Sequence, residues 1–282
     1  MLSRLLLRSF AVFGLLVGCS AATTDTSSDG GQSATDGSTL GVDAGTDRST
    51  PTTGATLNDG YKKATWASNV TVTYGDCTLT YVSNGLPNHT RDAEYALPNM
   101  GVMVPGAATA YAAADPTVAQ RYSFTINTCK TVQTDGTKTS LGNIGYMISG
   151  AGLFNPYEGD GSTVALGSNF SVKNTSGTDV YFVDACNGHP TPMGLYHYHG
   201  LPACVTSQVD AANGPSHIIG IAVDGYPIYG NRDMDGNEIS AEKLDACNGI
   251  TSATPEFPGG VYHYVLLNTK DGSSAMRCTK GK

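Results

Sequence analysis

One unit of this chain is written twice. IGYMISGAGLFNP at 144–156 resembles IGIAVDGYPIYGN at 219–231, DACNG stands at 184–188 and again at 245–249, and GLYHYH at 194–199 returns as GVYHYV at 260–265. Three matching segments in the same order leave little room for chance. Each copy, near 144–204 and 219–278, reads as an apolar strand, a tight glycine turn, a loop, a DACNG turn and a Tyr-His-Tyr strand. A solenoid generally needs three or more units, so two copies predict a pseudo-symmetric pair inside one domain.

The repeat also constrains the cysteines. Of the seven, Cys19 lies in the N-terminal leader, and six remain. An even number in an exported chain predicts three disulfides. Cys186 and Cys247 are equivalent positions, and Cys204 and Cys278 each follow the Tyr-His-Tyr strand of their own copy. The simplest pairing is Cys186–Cys204 and Cys247–Cys278, leaving Cys77–Cys129; a crossed pairing between copies is the alternative. No CxxC spacing is present, which argues against a zinc ribbon or a thioredoxin-like motif.

Export is read from residues 1–18. Arg4 and Arg8 precede an apolar run too short to span a bilayer, as in a signal peptide. Leu16-Val17-Gly18-Cys19 looks like a lipobox, with Cys19 the lipidated residue; an ordinary cleaved signal is the alternative. Ser20 after the cysteine favours outer-membrane sorting, with the protein periplasmic or at the cell surface. The lipid anchor is the expected membrane contact. Residues 19–60, rich in Ser, Thr, Gly and Asp, cannot bury enough apolar surface to offset their ordering entropy and are expected to form a disordered tether. The folded domain is expected over 61–282.

Within it, NVTVTYG and TLTYVSNG alternate as strands around Gly75-Asp76, RYSFTINT alternates, and IGYMI and IIGIAV suit buried strands. ISAEKLDA, with Ser240 as cap, suits one helical turn, and ATAYAAAD (108–115) is the other helical candidate. The expected fold is mainly β, a β-sandwich or barrel-like single domain with long disulfide-stapled loops. A net charge of −8 argues against nucleic acid as a partner.

The chemistry concentrates at 189–199. Successive strand residues point to opposite faces, so His197 and His199 share one face and Tyr196 and Tyr198 the other. Two same-face imidazoles about 7 Å apart can converge on one ion. His189 lies eight residues before His197, and the expected Cys186–Cys204 bridge would enclose all three. Imidazoles without thiolates suit copper or zinc rather than calcium or magnesium. The competing reading is a solvated strand face.

A fainter pattern, Asn231, Asp233, Asp235 and Glu242, has EF-hand-like spacing and would suit calcium; a polar Asp-Gly turn is the plainer reading. No Gly-x-Ser-x-Gly, His-Glu-x-x-His or phosphate-binding loop is present. Asp184 and Asp224 flank tight turns and are candidates for orienting an imidazole or acting as a base, although Asp before Gly commonly just forms a turn.

From about Val70 to Cys278, the segments YVSNGLPNH, YSFTIN, IGYMISGAGLFNP, DACNGHPTPMGLYHYHGLPAC, SHIIGIAVDGYPIYG and LDACNG with YHY resemble the bacterial YHYH family. That resemblance implies an exported, disulfide-bearing domain in which His-rich turns recur, without implying an activity. It adds His89, His217 and His263 as further candidate ligands, since each matches a family histidine. The second copy departs from the family pattern, with Ile250 and Val265 where relatives often carry histidine. Three functions are compatible with this reading: a metal-binding lipoprotein, a metal-dependent enzyme with an unfilled coordination position, and a structural or carbohydrate-adhesion module without metal.

Overall fold

The computed structural model describes residues 56–282. The leader, Cys19 and most of the expected tether lie outside the described residues. Helix α1 (Leu57–Tyr61) falls across the expected tether boundary, and its Leu57, Asn58 and Gly60 are buried. The packed chain therefore begins ahead of Tyr61. Composition concealed this because the contact runs through glycine: a Cβ on Gly60 would strike the Phe257 ring. Tyr61 then reaches across to donate its hydroxyl to the Gly225 carbonyl at 2.9 Å.

The chain is mainly β. In order it forms β1 (Val70–Tyr74), β2 (Thr78–Ser83), β3 (Glu94–Pro98), β4 (Ala110–Ala114), β5 (Tyr122–Asn127) and β6 (Val132–Lys138). The first repeat contributes β7 (Asn143–Met147), β8 (Gly152–Phe154), β9 (Ser171–Lys173), β10 (Asp179–Tyr181), β11 (Gly188–Pro190) and β12 (Tyr196–Tyr198), followed by helix α2 (Ala203–Val209). The second contributes β13 (Ile218–Ala222), β14 (Pro227–Tyr229), β15 (Gly249–Ser252), β16 (Val261–Val265) and β17 (Cys278–Gly281).

The duplication becomes one eight-stranded sheet in the order β11-β12-β8-β7-β13-β14-β16-β15. Each half runs antiparallel, parallel, antiparallel outward from the centre. The halves meet along the antiparallel β7–β13 seam, where Tyr146 pairs with Ile221. These two residues hold the same place in the repeat, so a pseudo-two-fold axis passes between them. The sheet ends at β11 and β15, and no closed barrel forms among the described residues. A three-stranded sheet, β1-β2-β5, lies against it through aromatic contacts. Tyr81 stacks on Phe124 at 5.2 Å between ring centroids, and both contact Tyr146 of β7. Such aromatic pairs add about 0.5–1.5 kcal/mol each beyond area burial.

The expected helix over 108–115 is instead a short 3-10 turn, Ala107–Thr109, leading into β4. Eight residues are too few for a stable isolated helix, and pairing with β3, with Leu97 opposite Tyr111, decides the outcome. The turn expected near 239 is present as a 3-10 turn, Ala241–Lys243; Ser240 takes the cap position without a side-chain cap bond. Helix α2, which carries Cys204, was not apparent from the sequence. The disulfides join Cys77–Cys129, Cys186–Cys204 and Cys247–Cys278, one within each repeat and one in the N-terminal sheet.

Candidate metal centre

Both DACNG turns are built alike. Asp184 Oδ1 accepts from the Cys186 and Gly188 amides, and Asp245 Oδ1 from those of Cys247 and Gly249. Asn187 (φ 58°) and Asn248 (φ 65°) occupy the left-handed region that Asn tolerates better than most residues. Their carbonyls accept the amides of His199 and Val265 at 2.9 Å. Each turn thereby fixes the end of the Tyr-His-Tyr strand beside it.

The tyrosine face is structural. Tyr196 and Tyr95 both donate to Asp184 Oδ2, at 2.7 and 2.8 Å. Tyr264 donates to Asp224 Oδ2 at 2.6 Å, and the Lys280 and Gly281 amides bind the same oxygen. Asp184 and Asp224 are therefore saturated anchors for buried phenols, which leaves neither free to orient an imidazole or serve as a base.

On the opposite face, His189 and His197 stand directly across the β11–β12 ladder, and His199 follows just beyond β12. All three are buried, and one ligand atom from each lies within 4.8 Å of the others. A backbone carbonyl faces the Nδ1 of each ring. His197 Nδ1 lies 3.2 Å from the Leu195 carbonyl, His199 Nδ1 2.7 Å from that of Asn155, and His189 Nδ1 3.3 Å from that of Pro190. A carbonyl only accepts, so these contacts favour a proton on each Nδ1, the tautomer in which each Nε2 offers a lone pair. The Nε2 atoms of His197 and His199 face each other at 3.0 Å, and His189 Nε2 is buried without any partner.

Protonation does not resolve this crowding. Burial, followed by the charges of neighbouring imidazoles, holds His189 and His197 well below the usual histidine range. Burial lowers His199 to about 4. Three neutral rings with converging lone pairs and backbone-anchored Nδ1–H groups are the preparation a metal ion requires. Two nitrogens each about 2.0–2.1 Å from a tetrahedral zinc would lie roughly 3.3 Å apart, close to the 3.0 Å between His197 and His199. Aromatic walls hold the rings: Phe154 stacks on His197 at 3.9 Å, and Phe182 lies 4.1 Å from His189.

The cluster lines a cavity of about 250 Å³ that is otherwise largely apolar. One carboxyl group lines it, that of Glu158, whose Oε1 is buried without a partner. Burial, with Asp160 adding to it, pushes Glu158 up to about 7. Asn155 and Glu158 escaped the sequence reading. The available signal was positional: Glu158 stands where Asp233 stands in the second copy. A broader cleft, about 720 Å³, shares Leu141 and Tyr157 with this cavity.

The other candidate ligands lie elsewhere. His89 is on the tyrosine face, where its Nδ1 donates to the Thr90 carbonyl and its Nε2 accepts from Tyr198 at 2.8 Å. It also approaches Cys186 and Cys204, but those sulfurs are bonded to each other and offer no thiolate. His217 pairs with Glu256 at 2.8 Å. His263, the counterpart of His197, is buried alone: Ile250 pairs opposite it, and Val265 takes the place of His199. Ile239, Val265 and Leu267, with Ile250 against them, form a small apolar core there. Apolar packing in the second copy stands where the first copy carries its histidine cluster.

The calcium pattern does not assemble either. Asp233 Oδ1 accepts the Asp235 and Asn237 amides, closing its own turn, and the backbones of Arg232 and Glu238 pair across it in an isolated antiparallel β-bridge. Glu242 sits beyond that closed loop on the 3-10 turn, and Asn231 is buried. Among the described residues these carboxylates form no cluster within ligating reach of one another.

No curated protein and no solved structure matches the chain. A family model described as YHYH protein matches residues 121–243 and 232–281, which spans both copies of the repeat and more than half of the chain. The duplicated sheet, its DACNG turns and the strand that gives the histidines their spacing all lie within that match: the chain belongs to the YHYH protein family.

Proposed function

We propose that this protein is an exported lipoprotein that binds one transition metal ion, copper or zinc, through His189, His197 and His199. One observation carries the reading. Three buried Nε2 lone pairs converge while all three Nδ1–H groups are held by backbone carbonyls. An unpaired buried polar atom costs about 1–3 kcal/mol. A cation held between His189 Nε2, which is unpaired, and the facing Nε2 atoms of His197 and His199 would offset that cost. The Cys186–Cys204 bridge encloses the ligands and lowers the ordering cost of binding. The residues fit copper or zinc because every donor is a neutral imidazole. Attachment to the outer membrane through Cys19 belongs to the same proposal and rests on the leader sequence.

A second reading, a metal-dependent enzyme, draws support from the adjoining cavity and from Glu158, an ionisable group whose affinity for protons suits exchange near neutral pH. Three ligands leave a coordination position for a substrate. A purely structural role for the cluster is disfavoured, because the second copy shows that Ile250 and Val265 fill the same place without orphaned lone pairs.

Elemental analysis of the untagged exported protein tests the proposal, with His197→Ala/His199→Ala as control. One copper or zinc per chain, lost in the control, is expected. No bound transition metal after loading at sub-micromolar free ion would end it.

A further inference from the structure

Methionine is normally a core residue. Among the described residues Met147 and Met276 are fully buried, but Met100, Met103 and Met193 are 73%, 60% and 76% exposed. Their positions are related. Met103 lines the cavity that holds the three histidines, and because it is also largely exposed, the cavity opens beside it. Met100 lies on the same loop, whose Val102 and Pro105 also line the cavity. Met193 sits in the tight turn between β11 and β12, next to Pro192, another lining residue. Met103 therefore stands at the mouth, and the two loops that carry Met100 and Met193 both contribute residues to the cavity wall.

The chemistry of that rim is selective. A thioether is a soft, uncharged donor that favours copper(I) and has little attraction for zinc. It has no proton to lose, so its affinity is unaffected by pH. Inside, the donors change to imidazole, which holds copper as well. Weak soft donors outside and three convergent nitrogens inside form a descending path for one kind of ion. Flexible methionine side chains can follow an ion inward without rebuilding the loop.

We propose that Met100, Met103 and Met193 form a thioether mouth that passes copper(I) to His189, His197 and His199. This rests on the metal-binding reading above and narrows it from copper or zinc to copper delivered in the reduced state.

The test uses the untagged domain with its disulfides intact. Copper(I) is presented as its bicinchoninate complex, and transfer is followed by loss of the complex's colour. Zinc uptake is followed separately with a chromophoric zinc chelator. The variant is Met100→Leu/Met103→Leu/Met193→Leu, which keeps size and apolarity at exposed positions. Met234→Leu, at an exposed methionine in the second copy's loop, serves as control. Copper(I) uptake in the triple variant is expected to slow by about threefold or more, with zinc uptake and the Met234→Leu protein unchanged. A smaller effect on copper(I), or equal slowing with zinc, overturns the proposal. Wild-type protein that takes zinc but no copper(I) overturns it while sparing the metal site. Protein that takes neither ion overturns both.

Discussion

His189→Ile/His199→Val rebuilds the first copy's site in the image of the second, where Ile250 and Val265 hold those places within a small apolar core. The consequence is read best as a pH difference in the metal-free protein. Burial lowers His199 to about 4, against an ordinary value of 6.5. Its folded value lies below its unfolded one, so its contribution to stability is complete above the unfolded value and is lost as pH falls toward the folded one. At pH 5 the unfolded chain binds a proton there that the folded chain refuses, a difference of about 2 kcal/mol, which vanishes near pH 8. His189 shifts in the same direction for the same reason. Glu158 pulls the opposite way, but it is present in both proteins and cancels. The Asn155 carbonyl loses its donor in the variant, which affects both pH values alike. Urea unfolding with chelator present, at pH 8 and pH 5, gives the comparison. The variant should gain on wild type by about 2 kcal/mol or more between the two. A stability difference that stays constant with pH would mean that the imidazoles titrate normally, and the account of a dry, neutral cluster would be wrong.

Glu158→Gln should show the mirror image. Its folded value, raised to about 7 from 4.5, makes its contribution complete at low pH and lost as pH rises, so the variant's advantage should widen by about 2 kcal/mol from pH 5 to pH 8 in the same urea assay. Tyr196→Phe removes one of the two phenols on Asp184 Oδ2 and should cost about 1–3 kcal/mol in denaturant unfolding while leaving metal stoichiometry intact. Breaking the Cys186–Cys204 bridge with Cys186→Ser/Cys204→Ser, at a sequence separation of 18, should cost about 3 kcal/mol and weaken metal binding by loosening the ligand loop. His89→Ala should leave metal content unchanged on elemental analysis; loss of the ion there would make His89 a ligand and revise the site.

The duplication was the most informative part of the sequence. It carried the pseudo-symmetry and the equivalence of Ile250 and Val265 with His189 and His199, while the strand order about the central seam emerges only in the folded chain. Period-two alternation carried the two faces of the Tyr-His-Tyr-His strand. What stayed hidden depends on contacts between distant segments. ATAYAAAD becomes a strand because β3 offers it a partner, which no local propensity reveals. Gly60 belongs to the folded domain because Phe257 needs the space that its missing Cβ leaves. His89 and His217 carry the same side chain as the clustered three, but Tyr198 and Glu256 are their partners. Glu158 gave no motif, and its character arises from burial in the shared cavity, with the Asp160 charge adding to it.

Anomalous diffraction at the metal edge, from crystals of copper- or zinc-loaded protein, tests the central claim most directly. The account predicts a single peak bounded by Nε2 of His189, His197 and His199, at about 2.0–2.1 Å from each nitrogen. A peak at His89, at His263 or in the Asn231–Glu242 loop, or no peak in protein that remains folded, would contradict it.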